Sequence, residues 1–557
     1  MVSQLFAVVV CASAWAKISP TNSVRWSSSP PSHKKDRDRL LDGGQCTMPL
    51  HAAQRTGLFD IRNVSTPSVA GCCAACMAEP LCKYFEFETV TQPPRCWLKT
   101  SGAGPKSHDS KCTSGGHNPP PPGSCKTDDD CSLCGQCDVH EGKCICDPGF
   151  TGENCELLDM GKPLRCGAGG LCMHGESVGS NSGAIPTTAI ATWGGSVVAN
   201  ADYSEYHMYA SMFQMNASLM GNSPYGQGAS WITNSDVVHA VSKSPEGPYR
   251  VADIALGPRG KIVRDSNCSY QAGLPARVCP VRQANDFWDS ATTHTPAVQR
   301  DPVSGMYLLY YMGTMMNTTN SKGGFPCLTN DDPPRPSDRS GGPGCQQRVG
   351  LAVSRDPSGP WMRADHNGLH RTDEQSTFIL PTGKIGDFDS GFTNNPTPLA
   401  HKNGSITLIY KGRSAQCPAC SAMRTGVAIA KTWDPSKTPY VKQTSRTPMP
   451  VPADCEDAAV YIAPSGVYRV IFHCRCSYLI AVSSDGIRYR PIGAPKPWCH
   501  ITYSDGTNET LRRRERPQWV IGANGHPTHL MTGVLPAESS HHGLVWTMAM
   551  PLGTGQN

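Results

Sequence analysis

Five short phrases hold the residues of this chain whose types could do chemistry: Trp193-Gly194-Gly195, His294-Thr295-Pro296, Asn394-Asn395-Pro396, Glu456-Asp457 and Arg516-Pro517. Together they offer carboxyl groups, an imidazole, a guanidinium, amides and an indole. A carboxylic acid kept protonated can donate to a leaving oxygen, and an ionised one can activate a water. The set therefore suits general acid–base work on a polar substrate. Glu456 leads the catalytic candidates. Asp389 follows as a base if its loop folds inward, the alternative being a turn or strand cap. Asp202 is discounted. It stands eight residues past Gly194, and at about 3.3 Å per strand residue that is more than roughly 20 Å away. His473 reads equally as a buried, satisfied histidine or as a ligand. Nothing matches a phosphate loop, a Ser-His-Asp set or a nucleotide site, and neither metal nor cofactor is expected.

The five phrases span some 320 residues, so a repeated architecture must bring them together. One repeat is plain. Asp289-Ser290, Thr293 and Pro296 recur one hundred residues later as Asp389-Ser390, Thr393 and Pro396. Each copy continues into an apolar run, a turn (DPVSG or HKNG) and a strand (MYLLYYMG or SITLIYKG). A second phrase, AVSKSPEGPY at 240–249, returns as AVSRDPSGPW at 352–361, with weaker copies at 426–435 and 481–486. Aligning both phrases gives five units, whose first strands begin near Trp193, His294, Asn394, Glu456 and Arg516. Five sheets of about four strands around an axis make a five-bladed β-propeller over 185–553. A sandwich would not explain the repeat. In a propeller the first strand of every blade lines the central channel, and the starts of those strands meet in one pocket.

At 557 residues the chain is too long for one ordinary core. Lys+Arg 50 against Asp+Glu 45 is nearly balanced, and no basic stripe carries interleaved aromatics, which argues against nucleic acid. Gly 55 and Pro 48 suit turn-rich β structure. Cysteine decides the compartment: 27 in all point to an oxidising one. Leu5–Ala16 is a short apolar run ending in Ala-Trp-Ala and reads as a secretory signal peptide over 1–16, although no Lys or Arg precedes it. Cleavage there removes Cys11 and leaves an even set. No other run approaches the roughly 18 apolar residues of a membrane span. Sequons at Asn63, Asn216, Asn267, Asn317, Asn403 and Asn508 fit a secreted protein, extracellular or in a cell wall.

The stretch 17–45 is rich in Ser, Pro, Lys and Arg and reads as a disordered linker. Residues 46–112 hold seven cysteines. Cys72–Cys82 reads as a short helix, and Tyr84, Phe85 and Phe87 as an aromatic strand. This module resembles the PAN/apple family, whose core is a helix stapled to a sheet. The resemblance implies Cys76–Cys82, Cys46–Cys112 and one of Cys72 or Cys73 with Cys96, and a role in binding proteins or carbohydrates. Pro119–Pro122 make 113–124 a stiff spacer. In 125–155 the run Cys144-Ile-Cys146, Gly149-Phe-Thr-Gly152 and Cys155 resembles an EGF-like module. That family implies Cys125–Cys137, Cys131–Cys144 and Cys146–Cys155, and leaves Cys134 extra. The acidic lead-in of its calcium-binding versions is missing, so Asp128–Asp130 read as a solvated turn. In the linker 156–184, Cys166 and Cys172 close a small loop, or one of them takes Cys134. Cys455 and Cys474 flank one hairpin and are candidates to pair. Cys268–Cys279 and Cys327–Cys345 would brace insertions, and Cys417-Pro-Ala-Cys420 reads as a disulfide staple rather than a redox or zinc motif. The fold class is thus all-β: a five-bladed β-propeller preceded by two small disulfide-rich modules, PAN/apple-like and EGF-like.

The blade-opening phrases and the Ala-x-Ser-x-x-x-x-Gly-Pro-Trp phrase resemble glycoside hydrolase family 43. The run 512–534, RRRERPQWVIGANGHPTHLMTGV, is similar to the last blade of its eukaryotic members. Family enzymes invert. They place a general base on the first blade, a pKa-tuning carboxylate on a middle blade and a general acid on the next. Glu456 falls on the acid position. The tuning position holds Asn395 and the base position Gly194, so two of the three expected carboxylates are missing. The resemblance further implies Arg516 and His294 as ligands for sugar hydroxyls or a uronate, and Trp193 as a stacking platform. Asn395 and Asp457 complete the substrate-binding set, with a Glu456–Arg516 ion pair as the bland alternative. Two readings remain open. One is a secreted glycosidase acting on polysaccharide or glycoprotein glycans, docked by its N-terminal modules, which could also take protein partners. The other is a non-catalytic carbohydrate-binding or matrix protein with a degenerate pocket.

Overall fold

The computed structural model describes the strands and helix of 50–116, then 124–165 and 191–555 apart from insertions at 214–230, 232–234, 266–278, 315–346, 415–422 and 538–544 and shorter gaps. From residue 191 the chain forms five consecutive antiparallel blades. Their innermost strands are Ala191–Ala199, Thr292–Arg300, Phe392–Ala400, Cys455–Ile462 and Asn508–Ile521. Each packs on the next and the last packs on the first, which closes a five-bladed propeller.

The second strands are buried nearly throughout rather than alternating. Tyr307–Thr314 and Ile406–Arg413 are buried along almost all their length. A blade is covered on both faces by its neighbours, so both sets of side chains are core. Tyr209 of blade 1 and Trp361 of blade 2 show the packing between blades, edge to face at 5.4 Å. The outer strand Arg250–Leu256 instead alternates exposed and part-buried, as an edge does.

The innermost strands share one backbone device. Pairing slips between Trp193 and Ser196, His294 and Ala297, Asn394 and Thr397, Glu456 and Ala459, and Glu515 and Gln518. At each slip sits a left-handed residue: Gly194 (φ 66°), Thr295 (49°), Asn395 (45°), Asp457 (56°) and Arg516 (58°). For a residue other than glycine this conformation costs roughly 1–2 kcal/mol, so the surrounding packing must impose it. The channel therefore has a bulged mouth. At its other end five hairpins turn back, closed by backbone bonds such as Asn200 N to Glu205 O and Ala463 N to Val467 O, both 2.9 Å.

The hundred-residue repeat has a structural cause. Asp289 and Asp389 lie fully buried at the start of blades 2 and 3. Tyr311 donates to Asp289 at 2.9 Å, and Tyr410 donates to Asp389 at 2.8 Å. Each Asp ties its loop to the second strand. Gly412 leaves the space for this: a Cβ there would meet the Asp389 Cβ at 2.4 Å.

In the N-terminal part a five-stranded sheet carries one helix, Val69–Met77, which is joined to the sheet by Cys72–Cys96. The aromatic strand is Tyr84–Glu88. The expected helix runs to Cys82; residues 78–82 lie outside the described residues. Residues 125–158 form two small two-stranded sheets, and Cys125–Cys137, Cys131–Cys144 and Cys146–Cys155 staple the module. Cys134 is a free, buried thiol, and burial pushes its pKa up to about 12. This module is seated on the propeller. Arg469 of blade 4 donates to Leu133 O at 2.9 Å and pairs with Asp147. Leu158 N donates to the Tyr478 hydroxyl at 3.0 Å, and Gly149 N to Gly553 O at 2.8 Å. Blade 4 also holds Cys455–Cys474 and Cys476–Cys499. The signal peptide, the linker 17–45, the Cys46–Cys112 and Cys76–Cys82 pairings and the cysteines of the insertions lie outside the described residues. Of the other two expected linkers, 113–116 belongs to a strand of the N-terminal sheet and Leu157–Leu158 pairs with Phe150–Thr151. Among the described residues no helix is long and apolar enough to cross a membrane.

Candidate active site at the bulged mouth

The slip residues make an inner ring. Asn395 Nδ2 donates to Asp457 Oδ1, and Arg516 Nη1 stands 3.5 Å from the same oxygen. Arg516 Nη2 donates to Thr295 O at 3.4 Å. Gly194 faces Arg516, whose Cβ would lie 3.2 Å from a Cβ added there. The ring is nearly inaccessible: Asn395 is 7% exposed and Arg516 3%.

One residue earlier on each strand stand Trp193, His294, Asn394, Glu456 and Glu515. Trp193, His294 and Asn394 are buried, whereas the Glu456 and Glu515 side chains keep 27% and 18% of their surface. The cross-strand partners of Asn394 and Glu456 are Lys411 and His473. Lys411 Nζ lies 2.7 Å from Glu456 Oε2 and 3.0 Å from Asp457 Oδ1. The His473 ring stands between the same carboxylates, Nε2 at 3.6 Å from Glu456 Oε1 and Nδ1 at 3.3 Å from Asp457 Oδ2. Glu515 joins from blade 5. One ligand atom each of Asp457, His473 and Glu515 lies within 4.8 Å of the others, and Arg513 Nη1 is 3.1 Å from Glu515 Oε1.

The two glutamates are pushed apart in acidity. Burial disfavours charge on both. At Glu456 the Lys411 ammonium and the His473 contact overcome burial and hold the pKa at about 2. At Glu515 burial prevails over His473 and Arg513, and its pKa is raised. Burial also opposes charge on His473 and Lys411, yet Glu456 and Asp457 outweigh it and both pKa values rise. Asp457 is driven well below the carboxylate range, its burial overcome by Lys411 and Arg516. Two titratable groups set apart by their surroundings are the pattern of an acid–base pair. Asp457, His473 and Glu515 also form an oxygen–nitrogen donor set of the kind that holds a cation. Lys411 and Arg516 already neutralise Asp457 there.

The structure brings together Glu456, Asp457, Asn395 and Arg516, and corrects four expectations. Asp389 does not reach the mouth: it is buried under blade 3, held by Tyr410 and by Lys442 Nζ at 2.6 Å. Trp193 is no stacking platform, because it is 2% exposed and packs with Phe213, Leu535 and Val545. Glu456 pairs with Lys411, while Arg516 goes to Asp457. His294 is buried, bonded through Nδ1 to Ser235 Oγ at 2.8 Å, and burial with the nearby Arg516 charge drops its pKa to about 3, so it is neutral. Glu515 and Lys411 are the residues that sequence reasoning passed over. A signal for Glu515 existed: proline follows the slip in His294-Thr295-Pro296, Asn394-Asn395-Pro396 and Glu515-Arg516-Pro517. That shared proline makes Glu515, not Arg516, the first residue of its triplet. Lys411 lies inside the repeated strand phrase SITLIYKG, but the other copy has Met312 at that position, so the repeat gave it no chemical role.

Residues 58–99 match the PAN domain family. No curated protein matches the chain. Among solved structures, a family 117 glycoside hydrolase of the marine bacterium Zobellia galactanivorans is similar at 15% identity and TM-score 0.41, over 66% of this chain and 85% of that one. An exo-β-1,3-galactanase of Phanerochaete chrysosporium, solved with β-1,3-galactotriose, is similar at 10% identity and TM-score 0.36, over 69% and 64%. A thermostable family-43 glycoside hydrolase is similar at 10% identity and TM-score 0.33, over 65% and 89%. Likenesses this distant add nothing to what the five sheets themselves show.

Proposed function

We propose that the bulged mouth cleaves a glycosidic bond, with Glu515 as the general acid and Glu456 as the base. The observation that carries this is the unequal pair: two part-exposed glutamates from adjacent blades, one ionised and one with a raised pKa. Glu515 gives its proton to the leaving oxygen as the C–O bond breaks. Glu456 takes a proton from the attacking water, which bonds to the sugar carbon. Lys411 fixes the Glu456 carboxylate, and Asp457 is too enclosed to serve as a second base. The roles reverse the family pattern, in which Glu456 would be the acid. The PAN domain and the EGF-like module would dock a secreted enzyme on polysaccharide or glycoprotein, and the sequons and cysteines fit that setting.

A second reading is carbohydrate binding without turnover. It is favoured by the 2.7 Å Lys411–Glu456 contact, which ties the more exposed carboxylate to the protein. A screen of the secreted protein on arabino-, xylo- and galacto-oligosaccharides separates the two. Turnover abolished by both Glu456→Gln and Glu515→Gln establishes the enzyme. Saccharide binding with no turnover establishes the second reading.

A further inference from the structure

The hairpin mouth of the channel holds a cavity of about 1070 Å³, lined by the last turns of all five innermost strands. Ligand sites for small molecules span roughly 300–1,000 Å³, so this one has room for a short oligomer. It is walled off from the glutamate pair. Gln518 Nε2 donates across the channel to Thr397 Oγ1 at 3.4 Å, Thr397 Oγ1 to Ala458 O at 2.5 Å, and Val298 N to Ser196 Oγ at 2.9 Å. Beyond these bonds lies the Asn395–Asp457–Arg516 ring.

The lining is one-sided in charge. It includes Arg300 and Lys402, both exposed, and no aspartate or glutamate. Arg300 comes from the hairpin of blade 2 and Lys402 from that of blade 3. Two carboxylates adjoin lining residues in sequence without lining the cavity themselves: Asp202 accepts from Ser204 N and Oγ at 3.1 and 2.7 Å, and Asp301 from Ser304 N at 2.8 Å. Across the mouth, Tyr203 is 37% exposed and held in a left-handed turn position (φ 58°), which presents an aromatic ring at the rim. His401, made neutral by burial, and Asn524 add hydrogen-bonding groups. Two cations, an exposed ring and amide groups around one polar cavity suit a sugar chain that bears negative charge.

We propose that this second mouth binds an acidic oligosaccharide, one carrying carboxylate or sulfate groups, independently of the glutamate site. Arg300 and Lys402 bind the anionic groups and Tyr203 stacks on a ring. The inference does not rest on catalysis at the bulged mouth. Asn403 lies on the rim, so a glycan on it would share the space, and the test uses full-length protein freed of N-glycans.

Calorimetric titration at low salt with tetragalacturonate, a heparin-derived tetrasaccharide and maltotetraose tests it. The expected result is binding of one or both acidic probes, with maltotetraose at least tenfold weaker. Which acidic probe binds tells uronate from sulfate chemistry. Arg300→Ala/Lys402→Ala should weaken binding at least tenfold, as should Arg300→Gln/Lys402→Gln, which keeps more of the side-chain bulk. Glu456→Gln should leave it unchanged. Equal binding of maltotetraose, binding of neither acidic probe, indifference to both double variants, or loss in Glu456→Gln would each overturn the proposal.

Discussion

Blades 4 and 5 differ from blades 1 to 3 in what they hang on the same backbone device. All five innermost strands slip at the same point and place one left-handed residue there. In blades 1 to 3 the two side chains at the slip are Trp193 and Gly194, His294 and Thr295, Asn394 and Asn395, none of them charged. In blades 4 and 5 they are Glu456 and Asp457, Glu515 and Arg516. The lesson is that the bulge belongs to the fold, while the chemistry belongs to the side chains that two neighbouring blades put on it. The uncharged blades complete the ring and supply one distant cation, Lys411, from the second strand of blade 3.

The contrast can be broken by substitution. The largest effect should come from Glu456→Gln and Glu515→Gln, each lowering kcat by about 10²–10⁴, while His294→Gln on blade 2, buried against Ser235, should leave both kcat and KM within about threefold. Steady-state kinetics on the best oligosaccharide of the screen reads both. Next is Lys411→Met. It leaves Glu456 and Asp457 without their shared ammonium, and a buried ion network stripped of one partner loses about 3–5 kcal/mol. Urea unfolding should show that loss. Smaller again is Gly194→Asp, which puts a carboxylate where the family resemblance expects the base. The residue would sit at φ 66° against the Arg516 side chain. It should lower stability by about 1–2 kcal/mol and leave turnover no higher.

The smallest effect is a pH dependence of opposite sign at the two glutamates. The Glu456 pKa is depressed in the fold to about 2, so the stability it confers is present above its unfolded value and lost as pH falls toward about 2. The Glu515 pKa is raised. Its folded-state preference for the proton therefore stabilises at low pH and is lost as pH rises through the raised value. Thermal melts should show Glu515→Gln more stable than the native protein at pH 8, by roughly 1.4 kcal/mol per unit of raised pKa. Glu456→Gln should be less stable at that pH.

The propeller was legible because its repeats are loud. Asp289 and Asp389, the turns that follow them and the Ala-x-Ser strands recur for reasons of packing, and packing constrains many residues at once. The same loudness misled at the site. The repeated Asp389 looked catalytic because it recurs beside Asn395, yet it recurs because Tyr410 and Lys442 bury it. Trp193 opens its blade in sequence but is covered in space by Leu535 and Val545. Glu515 was missed by one residue of register, which the proline at 517 would have fixed. The role of Lys411 and the depressed pKa of Glu456 were not legible at all, since they depend on a contact between second and first strands of different blades.

The central claim is that Glu515 holds the proton and Glu456 the charge. Rates on aryl glycosides with good and poor leaving groups, with and without azide, test it most directly in the two Gln variants. The account predicts that Glu515→Gln keeps near-native rates on a dinitrophenyl glycoside and loses them on a phenyl glycoside, which needs protonation to leave. It predicts that azide restores Glu456→Gln by replacing the activated water. The reverse pattern, in which the good leaving group rescues Glu456→Gln and azide rescues Glu515→Gln, would contradict it.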